Sequence, residues 1–297
     1  MNPSPRTYDN ADVELLMATD SELQRFAEMP QDLAGREFLA PGFLSTLFAA
    51  ERRATHEAEE LKAIESSLFP RALPATESLD YAGLSLGARH VGGDFYDFFS
   101  RGEGRTGIVI GDVAGKGIPA ALLRANLQAT LRTVLSLQDD LEQALTLANK
   151  LFYQSTPQGS YATLLYVEYD QQAGRLRYVN CGHPAAILLR RDGSVLRLET
   201  TSTVVGLFEN WRCSIAEVEF KIGDTLLLFT DGIIEACSES GDEFGEQRLT
   251  ELLETSPAWS ISGLLQAIVG AVGEFSGGRR HDDMTLVGLR CGNFAAC

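Results

Sequence analysis

The stretch GIVIGDVAGKGIPAALL, residues 107–123, combines a strand-like apolar run, a glycine-flanked aspartate and the start of a helical pattern. The run through Ile108 and Ile110 is typical of a buried strand, and Asp112 follows where that strand would emerge. Pro119 suits the first turn of a helix, because a first-turn N–H has no partner to lose. We therefore predict a strand, a sharp turn and a helix, with the Asp112 carboxylate at the mouth of the strand.

Three other places in the chain repeat this arrangement of a carboxylate beside glycine or a sharp turn at a strand mouth. They are Asp94 in VGGDFYD, Asp231 in LLLFTDGIIEA and Asp282 in RRHDDMTLV. Neighbouring glycine lets backbone or ligand approach closely. A single aspartate in a turn is usually only solvated, which is how we interpret Asp192 in RRDGS. The shared context distinguishes the other aspartates from this ordinary case.

Several carboxylates that meet at one edge of a sheet repel one another unless cations neutralise them. Oxygen ligands without accompanying His or Cys favour Mg²⁺ or Mn²⁺ over zinc. Two such ions about 3.5–4 Å apart polarise phosphate oxygens and generate a hydroxide nucleophile, which is chemistry that hydrolyses phosphomonoesters. Asp97 and Asp283 each adjoin a stronger candidate, so their roles stay open between outer-shell support and structure. The predicted catalytic and metal-binding carboxylates are Asp94, Asp112, Asp231 and Asp282.

Short strand-like runs separated by Gly, Asp and Gln turns fill the chain after Pro74. Helical patterns fall at residues 119–136 and 140–154, and a further pair spans roughly 246–275. Strand groups interleaved with helix pairs predict an α+β fold, with antiparallel sheets packed together and helices outside. The strand-like runs are YAGLSLG, GIVIGDV, YATLLYVEYD, RLRYVNC, AAILLRR, SIAEVEF, DTLLLFTD and MTLVGLR.

Residues 1–75 are predicted to form an N-terminal helical regulatory or linker region, followed by a catalytic domain at residues 76–297. Within the first region, residues 14–26 suggest a helix only weakly. Residues 43–68 carry a heptad-like apolar stripe on a charged helix. This stripe fits a helix packed on its own domain as well as it fits a coiled-coil dimer or a partner-binding stalk. The stripe consists of Leu47, Ala54, Leu61 and Leu68.

Composition excludes several classes of protein. The formal net charge is −16, from 41 acidic and 25 basic residues, which disfavours nucleic acid and acidic membrane surfaces as partners. No secretory signal or membrane-spanning run is visible. The cysteines number five and form no CxxC pair, which favours reduced thiols, a cytoplasmic location and no structural zinc.

Competing chemistries lack their essential residues. GDVAGKG is one residue short of a phosphate-binding P-loop and lacks the Ser or Thr that would bind Mg²⁺. No cysteine is followed by an arginine placed to cradle phosphate, so a thiol nucleophile is unsupported. His183 in NCGHP fits a hydrogen-bonded structural residue better than a proton donor, and its role stays open.

Five motifs together resemble, in order and spacing, the SpoIIE/RsbU branch of the PPM metal-dependent protein phosphatases. They are VGGDFYD, GDVAGKGIPAALL, NCGHPAAILLR, LLLFTDGIIEA continuing to FGEQRL, and HDDMTLVGLR. The resemblance covers about residues 70–291, and it implies a sandwich of two antiparallel sheets flanked by helices with a two-metal site at one end. Cys181 stands where Ala is commoner. Arg279 and Arg280 stand where small polar residues are usual, and a solvated basic loop explains them better than contact with phosphate.

The resemblance also implies roles for residues. Asp112 would contact both metal ions, Mn²⁺ or Mg²⁺, with the Val113 backbone carbonyl adjacent. Asp94 would serve one metal side, directly or through water, while Asp231 and Asp282 would hold the other ion. The implied substrate is phosphoserine or phosphothreonine on an anti-sigma antagonist (STAS) protein in a partner-switching pathway.

Regulation and two other functions complete the expectations. An activating protein at the N-terminal helix, or a homodimer through residues 43–68, would control the helix that follows Asp112. A binding-only pseudophosphatase and a small-molecule phosphoesterase are the alternatives. Every expected ligand position is occupied in this sequence, which favours an active enzyme.

Overall fold

The computed structural model describes residues 41–70, 76, 78–102, 104–255 and 259–292. The chain divides into two compact units, residues 1–57 and residues 58–297. The helix suggested at residues 14–26 lies outside the described residues. The domain boundary predicted between residues 75 and 76 adjoins positions outside the described part and stays a prediction.

The first described element is a long helix, α1 (Pro41–Leu68). It confirms the helix predicted over residues 43–68. In its last turns Leu61 and Leu68 are half-buried, as the predicted stripe requires, together with Glu65. Ile64 is instead 60% exposed. The end of α1 therefore buries one face within the larger unit and leaves the opposite face to solvent.

Among the described residues of the larger unit, ten strands form two five-stranded sheets. The first sheet has the order β1-β10-β9-β6-β7 and the second has the order β2-β3-β4-β5-β8. All the pairings are antiparallel. The strands are β1 (Leu79–Leu86), β2 (Asp94–Ser100), β3 (Arg105–Val113), β4 (Ala162–Asp170), β5 (Arg175–Cys181), β6 (Ala186–Leu189), β7 (Val195–Leu198), β8 (Ala216–Glu219), β9 (Thr225–Phe229) and β10 (Met284–Cys291).

Helices cover the two outer faces. The remaining helices are α2 (Ile118–Leu137), α3 (Leu141–Ser155), α4 (Asp231–Ile234), α5 (Gly245–Thr255) and α6 (Ile261–Phe275). One apolar cluster lies between the second sheet and the α2–α3 pair, another joins the two sheets, and a third packs the first sheet on α5 and α6. The predicted α+β sandwich of two antiparallel sheets flanked by helices is therefore confirmed.

The strands and hairpins that contain a continuous apolar run were predicted correctly. The hairpin of β4 and β5 forms as expected, and the RRDGS turn joins β6 to β7. Strand β2 was missed, because its sequence DFYDFFS places Asp97 in the middle of the strand. Asp97 is nevertheless only 2% exposed, since partners on α2 satisfy its carboxylate.

Two further observations concern the whole described chain. Among the described residues, no helix has the length and apolar character needed to cross a bilayer. The four cysteines within the described part, Cys181, Cys213, Cys237 and Cys291, carry free thiols.

Candidate metal centre

Asp94 and Asp112 lie opposite each other in the second sheet. Asp94 is the first residue of β2, and its Cα partner in the antiparallel register is Asp112, the last residue but one of β3. The start of one antiparallel strand meets the end of its neighbour, so the two carboxylates share one edge of the sheet. The predicted strand mouth is thus real for Asp112, whereas Asp94 opens its strand instead of closing it.

Asp231 and Asp282 occupy the matching edge of the first sheet. Asp231 comes two residues after the end of β9 and begins α4, and Asp282 lies two residues before β10. Because Leu286 on β10 pairs with Phe229 on β9, the end of β9 and the start of β10 adjoin. The same antiparallel logic that pairs Asp94 with Asp112 therefore brings Asp231 and Asp282 together.

The electrostatics place all four predicted carboxylates in one cluster. Burial, followed by the charges of Asp231 and Asp282, raises the pKa of Asp112 to about 7. Burial, then the charge of Asp112, holds the pKa of Asp94 well above its usual range. The pKa of Asp231 is raised by burial and then by Asp282. Carboxylates that raise one another's pKa across two sheets form a site that a cation would stabilise.

A threonine that the sequence did not reveal fixes Asp94. The Thr230 hydroxyl donates to Asp94 Oδ2 at 2.7 Å, and it accepts from the backbone N–H of Thr285 at 3.0 Å. Thr230 belongs to the first sheet's edge and Asp94 to the second, so this hydrogen bond joins the two halves of the site. Only proximity to Asp231 in LLLFTDG could have suggested it.

Close backbone approach explains the glycines before Asp94. A methyl group at Gly93 would lie 2.6 Å from the Val113 carbonyl oxygen and 2.8 Å from Asp112 Oδ1. A side chain at Gly92 would collide with the Asp283 carboxylate. The Val113 carbonyl and the Asp112 carboxylate thus converge on one small space beside Gly93, where two oxygen ligands and a hard cation fit.

Asp112 and Asp282 line a pocket of about 140 Å³, whereas Asp94 and Asp231 are not part of its lining. At its mouth Lys116 Nζ donates to Asp282 Oδ2 at 2.6 Å, and both side chains are about half exposed. Arg89 and His281 also line the pocket. In the sequence, Lys116 in GDVAGKG bears only on the absence of a P-loop, and no motif marks Arg89. The pocket residues are Ala88, Arg89, Val91, Gly93, Asp112, Gly115, Lys116, Gly117, His281, Asp282 and Asp283.

No three carboxylate, imidazole or thiolate groups in the described part of the chain already form a ligand shell around one point. Two contacts explain this, because Asp94 is turned toward Thr230 and Asp282 toward Lys116. The charge repulsion and the oxygen cradle beside Gly93 nevertheless fit a divalent cation.

Asp97 and Asp283 have structural partners. Asp97 accepts from Gln128 Nε2 at 3.0 Å and from Arg132 Nε at 2.5 Å, both on α2. Asp283 accepts from the backbone N–H of Ala88 at 2.8 Å and so anchors the loop that carries Arg89. Of the two, only Asp283 lines the pocket.

The two arginines before the Asp282–Asp283 pair lie outside the pocket lining. Both Arg279 and Arg280 are exposed, and Arg279 Nε donates to the Ser276 carbonyl at 3.3 Å. This placement agrees with the solvated basic loop that the sequence favoured.

Comparison with known proteins identifies the family. The family model described as Stage II sporulation protein E (SpoIIE) matches residues 102–292. Phosphoserine phosphatase RsbU of Bacillus subtilis (strain 168) is 27% identical over 247 residues, covering 82% of this chain and 73% of that protein.

Solved structures agree on the fold. The SiaA-PP2C domain of Pseudomonas aeruginosa superimposes with a TM-score of 0.73 at 22% identity, over 82% of this chain and 98% of that one. The catalytic domain of the serine/threonine protein phosphatase PstP, solved with two manganese ions, gives a TM-score of 0.55 at 17% identity, over 72% and 99% of the two chains. The family model spans well over half of the sequence, and this chain therefore belongs to the SpoIIE family, the SpoIIE/RsbU-type branch of the PPM protein phosphatases.

Proposed function

We propose that this chain hydrolyses phosphoserine or phosphothreonine on a protein substrate, using water activated by two divalent cations at the Asp112 cluster. The observation that carries the proposal is the meeting of four carboxylates from two sheets, of which Asp112 has its pKa raised to about 7 by burial and by its acidic neighbours. Without a cation, repulsion among the carboxylates destabilises the protein. With bound cations, the same carboxylates can support activation of a water molecule. Similarity to a protein named phosphoserine phosphatase supports the same activity.

The family resemblance implies the roles of these residues, and their placement supports them. Asp112 and the Val113 carbonyl share the cradle beside Gly93 and would bind the ions together. Asp94 would support one side, and Asp231 with Asp282 would hold the other. When bound, Mn²⁺ or Mg²⁺ would lower the pKa of a coordinated water and offset the charge of the phosphate.

Cationic side chains at the pocket mouth would orient the substrate. Arg89 lines the pocket on a loop that Asp283 anchors, and its guanidinium suits phosphate oxygens. Lys116 is half exposed and pairs with Asp282. A cation that neutralised Asp282 would release Lys116 to contact the phosphate.

The size of the pocket favours a protein substrate over a metabolite. Pockets that enclose small molecules usually measure about 300–1,000 Å³, whereas this one is about 140 Å³. It accommodates a phosphate group presented on a side chain and leaves the remainder of the substrate outside. We therefore favour a phosphoprotein phosphatase over a small-molecule phosphoesterase.

The partners remain part of the proposal. We propose a phosphorylated STAS protein as the substrate, within a cytoplasmic partner-switching pathway. An activating protein, or a second copy of this chain, would act through the N-terminal helix. The end of that helix contacts the loop before Asp94, since Glu65 Oε1 accepts from the Gly92 N–H at 2.9 Å.

The direct test is hydrolysis of a phosphoserine protein in Mn²⁺, Mg²⁺ or EDTA. We expect Asp112→Ala and Asp231→Asn to lower kcat by at least about 100-fold, because each removes charge that positions the activated water. Asp192→Asn, in an exposed turn where the carboxylate bonds only Ser194, is the matched control and should keep the wild-type rate.

Three results would contradict the proposal. Normal turnover in both site variants would show that the cluster is not the active site. Metal binding without any hydrolysis by the wild-type protein would instead support a pseudophosphatase. Rapid hydrolysis of metabolite phosphates, with no activity on phosphoproteins, would favour the small-molecule alternative.

A further inference from the structure

His183 is a buried residue in a turn that directs its side chain into the protein. The turn follows β5, and Gly182 adopts a φ of +68°, which favours glycine. The backbone N–H of His183 donates to Asn180 Oδ1 at 2.9 Å, and Asn180 Nδ2 donates to the Leu198 carbonyl at 3.0 Å. The imidazole is thereby held in a buried position, with the residue only 3% exposed.

The ring touches the second sheet directly behind Asp112. His183 Nδ1 lies 2.9 Å from Thr163 Oγ1, and Thr163 is the Cα partner of Asp112 in the pairing of β3 with β4. The ring is therefore one hydrogen bond away from the residue that neighbours Asp112 across the sheet.

The other side of the ring faces the first sheet. Burial lowers the pKa of His183 to about 3, and the backbone of Phe229 partly offsets that effect. Phe229 ends β9, two residues before Asp231. Nε2 is buried without a hydrogen-bond partner, and the effect of the Phe229 backbone on the ring places the end of β9 beside it. The imidazole thus lies between β4, which pairs with the strand of Asp112, and the end of β9, which precedes Asp231.

We propose that His183 is a positioning residue that sets the separation between Asp112 and Asp231 and thereby the affinity of the centre for its divalent cation. The inference rests on the proposed function and deepens it. A planar ring with nitrogen atoms on two sides is a spacer of fixed width. Hydrogen bonds behind metal ligands commonly change metal affinity by 10–100-fold.

A role as proton donor to the leaving serine oxygen does not fit this placement. His183 is not among the residues that line the pocket, and a general acid must reach the substrate within hydrogen-bond distance. The buried ring also stays neutral near pH 7, since burial lowers its pKa. His183 therefore acts on the reaction through the two strands and not through the substrate.

The test replaces each side of the spacer separately in the full-length chain. His183→Asn keeps an amide near the position of Nδ1, and His183→Gln keeps one near Nε2. Thr163→Val removes the hydroxyl that the ring contacts without changing the shape of the side chain. Three quantities are measured for each variant: Mn²⁺ affinity by calorimetry, the free energy of unfolding in EDTA, and kcat and KM for a phosphoserine protein.

We expect each variant to bind Mn²⁺ about 10-fold more weakly and to lose kcat, while KM for the phosphoprotein stays within about twofold. Combining Thr163→Val with His183→Gln should add little to His183→Gln alone, because both changes remove the same contact. If a His183 variant fails to fold, Thr163→Val still tests the spacer.

Asp224→Asn is the control for general destabilisation. Asp224 is 2% exposed just before β9, at the end of that strand opposite Asp231, and it accepts from Arg190 Nη1 and the Lys221 N–H. This variant should lose stability with unchanged Mn²⁺ affinity. Unchanged Mn²⁺ affinity in both the His183 variants and Thr163→Val would overturn the inference alone. A wild-type chain that binds neither Mn²⁺ nor Mg²⁺ would overturn the proposed function as well.

Discussion

At the scale of single residues, the ionised Asp112 carboxylate should measurably destabilise the metal-free protein. Its pKa in the folded protein is raised to about 7, by burial first and by neighbouring carboxylates second, whereas an unfolded aspartate titrates near 3.9. Between these values the folded state binds more protons than the unfolded state. The free energy of unfolding must therefore fall as pH rises from about 4 to about 7.

This pH dependence is a direct prediction for protein kept in EDTA. We expect urea denaturation to show a loss of about 2 kcal/mol across that window, a value below the full linkage because Asp112 is partly exposed. Asp112→Asn should reduce this loss, with Asp94 and Asp231 retaining part of it because their pKa values are also raised, and the exposed Asp192→Asn should leave it unchanged. A wild-type profile that is flat or rises over the same window would contradict the raised pKa.

Lys116 gives a second prediction at this scale, because it binds the same carboxylate that a metal would use. Its Nζ lies 2.6 Å from Asp282 Oδ2. Lys116→Met removes a cation that competes for Asp282, so Mn²⁺ affinity should rise or stay constant. The same change would remove the proposed contact of Lys116 with phosphate, so KM for a phosphoprotein should rise about 10-fold.

Misfolding of Lys116→Met would not explain tighter Mn²⁺ binding together with a higher KM for the phosphoprotein. Lys221→Met is the matched control, since Lys221 also pairs with a carboxylate at 2.6 Å, that of the exposed Glu219. It should change neither constant. Weaker Mn²⁺ binding by Lys116→Met would show that the lysine supports the metal centre and does not compete with it.

At the scale of elements, the end of α1 is bonded to α2 and to the loop before Asp94. Glu65 Oε1 accepts from Arg124 Nη1 at 2.9 Å as well as from the Gly92 N–H. The Leu68 carbonyl accepts from Gln128 and Arg132 of α2, the same side chains that bind Asp97. Helix α2, which follows Asp112 by a short turn, is thus tied to both α1 and β2.

Breaking the ion pair between Glu65 and Arg124 should lower the free energy of unfolding more than breaking an ion pair at the surface. Arg124 is 1% exposed, and its Nε and Nη2 already lack hydrogen-bond partners. Glu65→Gln removes the charge that compensates the buried guanidinium, so we expect unfolding in urea to become easier by about 3 kcal/mol. Glu217→Gln, in the half-exposed pair with Arg175, should cost below about 1 kcal/mol. Equal costs would mean that Arg124 is solvated when Glu65 is neutral.

The sequence pattern identified the candidate site residues that stand at the end of an apolar run. Asp112 and Asp231 stand where strongly apolar strands end, so their placement followed from local pattern alone. Thr230, Glu65 and Arg124 were not predicted, because each acts through a partner that is distant in sequence and adjacent only after the sheets have packed. The Lys116 pair with Asp282 joins residues 166 positions apart, and no local periodicity encodes it.

At the scale of the molecule, the packing of the two sheets explains why the predicted metal ligands lie at one end of the sandwich. Both sheets are antiparallel, and apolar side chains join them face to face. The space between the sheets is therefore apolar, and the four carboxylates gather where strands end. Asp94 and Asp112 come from one sheet, and Asp231 and Asp282 from the other, so the site exists only while the two sheets keep their register and separation.

Two truncations separate the contribution of α1 from that of the sandwich. Residues 58–297 form a compact unit that retains Glu65 and Leu68, whereas a fragment of residues 70–297 loses the bonds of both residues to α2 and the Gly92 loop. We expect the longer fragment to match the basal phosphatase rate of the full chain. The shorter fragment should unfold at lower urea concentration and turn over about 10-fold more slowly, because α2 and the loop before Asp94 lose their anchor. Equal basal rates in the two fragments would show that the end of α1 does not support the metal centre. If the longer fragment also responds normally to an activating protein, residues 1–57 are not the regulatory element that the sequence predicts.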